Sequence, residues 1–515
     1  MITLIFIFVC SIILVYLYHT RNFKYWESRG VKHEKPIIFF GNNVKGYLMQ
    51  QSKTQSAAEM YWKYPKEKVV GFYRAAQPEL IIRDPMIAKK IMVSDFANFI
   101  YRGFNPNRKV VEPLLNGLFS AEGDLWRMLR TRMTPAFTSA KLKAMFPLII
   151  ERAEKLQMRT LEAAKSGESM DSRELMARYT TDFIGACAFG LDSDSLSEED
   201  SDFRKLGKKI FDAGIKDFFI NLLKEMYPHA FGYLKYFKKI EDGARELVHE
   251  IKRARDFKPC GRNDFLDMML DIENKGAVEF ESVEKVSSDG IPERVEMSLT
   301  GDVFMAQIMV FFAAGFETSS NSTSMALHLL AYYPEEQRKV QEDIDKALAK
   351  HNNKLSYDSI RDMLYLEMAF KEAMRILPAL GYVSRLCSRT YTFEDIDLTI
   401  DKEVKVVIPI QAYHMDPKYW DSPNEFRPER FLPENLEKIK DVYMPFGNGP
   451  RNCIGARLGL MQSLAGLAAI LSKFTVKPAP ESKRYPTVDP LSEIVQGVVG
   501  GLPLSFDERK TTYLN

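Results

Sequence analysis

Cysteine is scarce in this chain. Its 515 residues hold five, Cys10, Cys187, Cys260, Cys387 and Cys453, at spacings that form neither a bridge framework nor a zinc-ligand pattern. That argues against a disulfide-built secreted domain. A surplus of one charge is missing as well. Lys and Arg number 71 against 69 Asp and Glu, a formal net charge of +2, which gives no support for a nucleic-acid partner. No Gly/Ser-rich or Pro-rich linker separates two halves, and no internal repeat appears. Apolar residues at 46% and charged residues at 27% suit one large packed core.

Long apolar runs are also lacking after the first 20 residues, apart from one long helical pattern. Ile2 to Tyr18 is uncharged and almost wholly apolar, at the lower edge of what spans a bilayer. Its nearest positive charges, Arg21 and Lys24, follow the run, with Arg29, Lys32 and Lys35 soon after. A cleavable signal would carry its charge first and small residues after. The order predicts a retained anchor at 1–20 with the remainder in the cytosol, a linker at 21–45 and one main domain at 46–515.

Helical periodicity dominates from Met86 onward, at Lys141 to Lys165, Ser172 to Phe189 and Lys205 to Lys239. A long helix is predicted over Thr300 to Tyr332, stopped by Pro334, and another reaches Leu377 before Pro378. Lys68 to Arg83 reads as a hairpin turning at Gln77-Pro78. Val404 to Pro409 and the C-terminal region read as short strands. Asn274 to Ser298, polar with Gly276, Gly290 and Pro292, reads as a mobile surface loop. The sum is an α+β architecture, predominantly helical with small sheets.

The chemistry concentrates at Pro445-Phe446-Gly447-Asn448-Gly449-Pro450-Arg451-Asn452-Cys453-Ile454-Gly455. Glycines let this loop turn tightly and approach a flat ligand. Ile454 to Phe474 then reads as a helix, placing Cys453 at a helix N-terminus, where free N–H groups and the macrodipole favour thiolate. A thiolate so held can ligate haem iron and push electron density toward O–O cleavage. No second cysteine or histidine lies at zinc-ligand spacing from it.

The order Phe-x-x-Gly-x-Arg-x-Cys-x-Gly closely resembles the haem-binding signature of the cytochrome P450 family. The resemblance extends over nearly the whole chain. Thr134-Pro135-Ala136-Phe137-Thr138-Ser139 and Glu425-Phe426-Arg427-Pro428-Glu429-Arg430-Phe431 look like the microsomal clan of insect detoxification and vertebrate drug-metabolising enzymes. Only Pro36 and Gly41 remain of the proline-rich hinge that usually follows the anchor in that clan. The resemblance implies haem b, with Cys453 on the iron. It assigns Trp126, Arg130, Ala314, Arg385, Phe446, Gly447, Gly449, Arg451 and Gly455 to haem contacts, with Trp126, Arg130, Arg385 and Arg451 on the propionates.

Ala314-Gly315-Phe316-Glu317-Thr318-Ser319 resembles the family's oxygen-activation motif. Gly315 weakens the helix and Thr318 can bond back to the i−4 carbonyl, which predicts an opened ladder that admits water. Glu317 and Thr318 would move protons, and Phe311, Phe312, Ala313 and Ala314 would line an apolar pocket. Glu372 and Arg375 stand three apart, as do Glu250/Arg253, Glu335/Arg338 and Glu481/Arg484. By resemblance, Arg430 joins the Glu372–Arg375 pair in a structural network. His414 reads as a structural histidine on a strand-turn.

The implied reaction inserts one atom of O2 into a lipophilic small molecule at the endoplasmic reticulum membrane. Electrons would come from NADPH through NADPH–cytochrome P450 reductase, with cytochrome b5 as a further partner. Arg127, Arg132, Lys141 and Lys143 offer a basic docking face. Phe203 to Tyr236, mixing aromatics with lysines, would rest on lipid. A haem-thiolate isomerase or dehydratase, which the Glu317-Thr318 pair argues against, and a non-enzymatic haem sensor are the alternatives.

Overall fold

The computed structural model describes residues 1–105, 107, 110–191, 195–196, 215–262 and 264–510. Eight helices frame the molecule: α1 (Ile2–Thr20), α2 (Gly123–Met133), α3 (Ser139–Ser166), α4 (Ser172–Ile184), α5 (Ile215–Met226), α6 (Gly301–Tyr332), α7 (Leu364–Ile376) and α8 (Ala456–Lys473). The longest, α6, begins where the Thr300 side chain accepts the Val303 N–H at 3.4 Å, with Asp302 in the first turn. It ends at Tyr333 because the following Pro334 disfavours a helical conformation there. Most of α6 is buried between α4, α7 and α8. The wall of α8 from Met461 to Ser472 is buried throughout. This helical layer encloses the main hydrophobic core.

Besides a small two-stranded pair, Tyr391–Phe393 with Leu398–Ile400, the strands are β1 (Val69–Arg74), β2 (Gln77–Ile82), β3 (Met170–Asp171), β4 (Ala277–Val286), β5 (Pro292–Ser298), β6 (Val383–Leu386), β7 (Lys405–Ile408), β8 (Phe474–Pro478) and β9 (Pro503–Glu508). One sheet runs β1-β2-β7-β6, with β2 parallel to β7 and the other pairs antiparallel. A second core, containing Trp26, Leu80, Val406 and Ile408, packs against it. A smaller sheet joins β8, β9 and β3. The helical layer with small segregated sheets is the α+β arrangement expected.

Several local expectations give way. The β1–β2 hairpin pairs Arg74 with Gln77, so the turn is Ala75-Ala76, with Ala75 at φ +51, and Pro78 lies within the strand. Asn274 to Ser298 is not an irregular loop. It holds the antiparallel hairpin β4–β5, in which Ala277 faces Ser298 and Phe280 faces Val295. Helix α6 is continuous through Gly315. A Cβ there would lie 2.6 Å from Ile184 Cδ1 of α4, so the glycine serves close helix packing instead of an opened ladder.

Helix α1 presents an exposed apolar surface and has a mean hydropathy of 2.4 over its best window. It is long and apolar enough to cross a membrane. Helix α6 passes the same test but is a core helix, with 67% of its best window buried. The C-terminal end of α1 touches the main domain: the Tyr18 hydroxyl donates to the Met226 carbonyl at 3.2 Å. The Tyr18 ring also stacks on Tyr227 with centroids 5.6 Å apart. Of the stretch expected to rest on lipid, residues 203–214 lie outside the described residues.

Candidate active site

The Cys453 loop is shaped by its own backbone. The Cys453 N–H donates to the Phe446 carbonyl at 2.9 Å and the Asn452 N–H to Gly449 at 3.0 Å. Gly447 and Gly449 have φ of +69° and +71°, which side-chain-bearing residues rarely adopt. A Cβ on Gly449 would lie 1.8 Å from the Met92 carbonyl oxygen. That glycine therefore seats the loop against the distant Met92–Val93 segment. Helix α8 begins at Ala456 with Gly455 as its N-cap, two residues later than the sequence predicts, so Cys453 stands in the turn ahead of it.

The Cys453 thiol opens onto a cavity of about 680 Å³. Burial pushes its pKa up, while the Gly455 N–H, Arg130 and Arg102 pull it down. The helix-end contribution expected from sequence exists and is outweighed by desolvation. A coordinated metal ion deprotonates such a thiol outright.

Guanidinium groups gather at the same cavity. Arg385 on β6 donates Nη1 to the Ser384 carbonyl at 2.8 Å, and Arg451 donates Nη2 to the Ala121 carbonyl at 2.8 Å. Arg451 also lies over the Trp126 ring at 4.4 Å. Arg102, which the sequence did not single out, donates to the Arg451 carbonyl at 3.1 Å. Arg130 bonds the Asn452 carbonyl and side chain at 2.8 and 2.6 Å, so it braces the cysteine loop and is not the cation that stacks on Trp126.

The nitrogen atoms Arg102 Nε, Arg385 Nε, and Arg451 Nε and Nη1 are buried without a hydrogen-bond partner among the described residues. Burial depresses the pKa of Arg102 to about 10, and those of Arg385 and Arg451 well below the usual value. Guanidinium groups keep their protons in proteins, so the depression expresses a demand for negative charge. Unpaired buried donors are rare and costly. A porphyrin carrying two carboxylates beside a thiolate fits this donor set.

Helix α6 brings Ala314, Glu317 and Thr318 to the cavity. The Thr318 hydroxyl donates to the Ala314 carbonyl at 2.7 Å, the back-bond expected. Glu317 is buried and accepts from Arg173 of α4 at 2.5 Å, a partner that no sequence spacing announced. Phe311 and Ala313 line the cavity. Phe312 instead sits in the core at 1% exposure, one residue out of phase on the helix. Above, Lys224 of α5 forms a buried ion pair with Glu112, whose other oxygen accepts the N–H groups of Tyr236 and Phe237 at 2.8 and 3.0 Å.

Glu372 and Arg375 of α7 lie away from this cavity and are fully buried. Arg375 Nε and Nη2 donate to the two carboxylate oxygens at 2.7 and 2.9 Å. Arg430 Nε donates to Glu372 at 3.2 Å, and Arg375 Nη1 to the His414 carbonyl at 2.8 Å. The exposed Glu335/Arg338 pair has the same spacing and no such surroundings. His414 lies on a short helix, Ile410–Met415, and not on a strand-turn. Its Nε2 accepts the Met444 N–H at 3.0 Å, and burial pushes its pKa down to about 3. It is neutral and structural.

Arg127, Arg132 and Lys143 are exposed around α2 and α3, with Lys141 partly covered. The cavity walls include Leu115, Phe119, Leu380, Val383 and Ile494.

Comparison with known proteins follows the same lines. A family profile described as Cytochrome P450 matches residues 31–499. Cytochrome P450 6B2 of Helicoverpa armigera is 35% identical over 504 residues, 97% of each chain. Cytochrome P450 6a2 of Drosophila melanogaster is 36% identical over 508 residues, 96% of this chain and 97% of the relative. Cytochrome P450 6k1 of Blattella germanica is 32% identical over 505 residues, 96% of this chain and 95% of the relative.

Proposed function

The chain belongs to the cytochrome P450 family and is a P450 monooxygenase with haem b as its cofactor, and from that premise we propose that it oxidises lipophilic small molecules while anchored in a membrane by α1. The observation that carries this reading is a single cavity. It is lined by Cys453, by buried guanidinium groups with unpartnered N–H donors, by Thr318 and Glu317, and by apolar walls. The Cys453 thiolate would hold haem b, which when bound would supply reductive activation of O2 and transfer of one oxygen atom to the substrate.

The protein's own groups bind, orient and exclude. Arg102, Arg385 and Arg451 take the propionates, with Trp126 packed beneath Arg451, and Arg130 braces the cysteine loop. Phe311, Ala313 and Ala314 keep water from the reacting carbon, which suits an apolar substrate. The Thr318 Oγ1 hydrogen turns from the Ala314 carbonyl toward the cavity to give a proton, and the Glu317 carboxyl relays its replacement. Arg173 holds that carboxylate on the α4 side between turnovers.

Electrons come from NADPH through a flavoprotein reductase that docks on the Arg127, Arg132 and Lys143 face, with cytochrome b5 as a second donor. The apolar exposure of α1 and the basic residues that follow it favour the endoplasmic reticulum membrane with the main domain in the cytosol.

The test is reconstitution of the purified full chain with reductase, NADPH and a panel of lipophilic probes. NADPH-dependent oxygenated product supports the reading. Peroxide rearrangement without NADPH would make it an isomerase, and binding spectra without turnover a sensor. Thr318→Ala should lower product per NADPH about tenfold while peroxide rises; unchanged coupling removes the alcohol from the mechanism. Cys453→Ala should lose thiolate-ligated haem altogether, read from the reduced-CO spectrum.

A further inference from the structure

The β4–β5 hairpin leaves regular pairing between Glu281 and Val286, and the residues so released are the ones that meet helix α2. Asp124, in the first turn of α2, accepts the Ser282 hydroxyl at 2.9 and 2.8 Å and the Val283 N–H at 2.7 Å. Glu284 reaches the same helix end. Its Oε1 accepts the Tyr101 hydroxyl at 2.5 Å and its Oε2 the Asp124 N–H at 3.2 Å. The Ser282 oxygen accepts the N–H groups of Glu284 and Lys285 at 3.1 and 2.7 Å, fixing the bulge.

The N-cap residue Glu122 does not cap α2 with its side chain. A carboxylate from a segment 160 residues away in sequence therefore satisfies an amide at the helix start. Gly123 makes this possible. It has φ +55, and a Cβ there would fall 2.2 Å from the Glu284 carboxylate.

What the hairpin grips is the scaffold of the guanidinium cluster. Helix α2 carries Trp126 and Arg130. Tyr101 adjoins Arg102, and its carbonyl accepts the Leu386 N–H at 2.8 Å, next to Arg385. Val283 packs beside Ile100, Tyr101 and Leu386. One hairpin thus ties together the segments bearing four of the five side chains assigned to the porphyrin carboxylates and the cysteine loop.

We propose that the β4–β5 hairpin is a clasp that sets the geometry of the propionate-binding cluster, with Asp124, Ser282 and Glu284 as positioning residues. At metal sites, removing an outer group that orients a direct ligand typically costs about ten- to a hundredfold in affinity. The inference rests on the haem b cofactor and is independent of the proposed substrate and electron donor.

The test compares full-length haem-loaded protein with a Ser282→Ala/Glu284→Ala variant. Haem transfer to excess apomyoglobin should run about tenfold faster in the variant, and the propionate bending bands of its resonance Raman spectrum should shift. Ser282→Thr, which keeps the hydroxyl, should retain both parent values, as should Glu293→Gln on the exposed face of β5. If the double variant does not accumulate as a haem protein, Ser282→Ala alone is read in the same way. Parent transfer rates with unshifted bands in the serine and double variants overturn the proposal. So does an equal effect from Glu293→Gln.

Discussion

Two groups of buried arginines in this protein look alike by composition and differ in what surrounds them. Arg375 has a carboxylate on Nε and Nη2 and carbonyls on Nη1 and Nη2, among them His414 at 2.8 Å and Pro423 at 2.7 Å. Arg385 and Arg451 each have one carbonyl partner among the described residues and at least one buried nitrogen with none. The first is finished within the protein, so it holds the fold. The second keeps N–H donors free for an added anion, as the proposed haem site requires. Burial alone does not separate scaffold from site. The accounting of hydrogen bonds does.

The contrast is broken most severely at its scaffold end. Glu372→Ala leaves Arg375 buried without its carboxylate and should lower stability by about 3–5 kcal/mol, read from the urea midpoint of the haem protein; a loss under about 1 kcal/mol would mean that the pair is dispensable. At the site end the sign differs. Arg385→Met removes an unfinished charge, so the haem-free protein should be as stable as the parent or more so. Its affinity for haem should fall about tenfold in a quenching titration. A haem-free protein destabilised as much as by Glu372→Ala would erase the distinction. The smallest effect belongs to the exposed pair. Arg338→Ala should change the midpoint by no more than about 0.5 kcal/mol, although its spacing to Glu335 matches that of Glu372 and Arg375.

Legibility in the sequence followed the range of the interaction. Helices α6 and α7 were visible because periodicity and a following proline are local signals, α8 because of its periodicity, and the cysteine loop because its glycines and cysteine are contiguous. Arg102 and Arg173 were not. Each is one of 71 basic residues, and what distinguishes it is a partner brought close by folding. The β4–β5 hairpin carries a local signal too. Val278 and Phe280 alternate with Glu279 and Glu281, Val295 and Met297 flank Glu296, and Ser-Asp-Gly lies between, the pattern of a half-covered hairpin. High polarity hid it. Phe312 turns away from the cavity for a simpler reason. Neighbours on a helix point about 100° apart, so a run of four apolar residues cannot all face one cavity.

The contact between Tyr18 and the Met226–Tyr227 turn reaches beyond the first helix. Met226 closes α5, and α5 carries Lys224, the lysine bonded to Glu112 in the cavity wall. A shortened protein starting at Arg21 would forfeit a brace on that wall along with its apolar leader. Ligand entry and exit rates measured on such a soluble fragment would then describe a looser enclosure than the intact chain possesses.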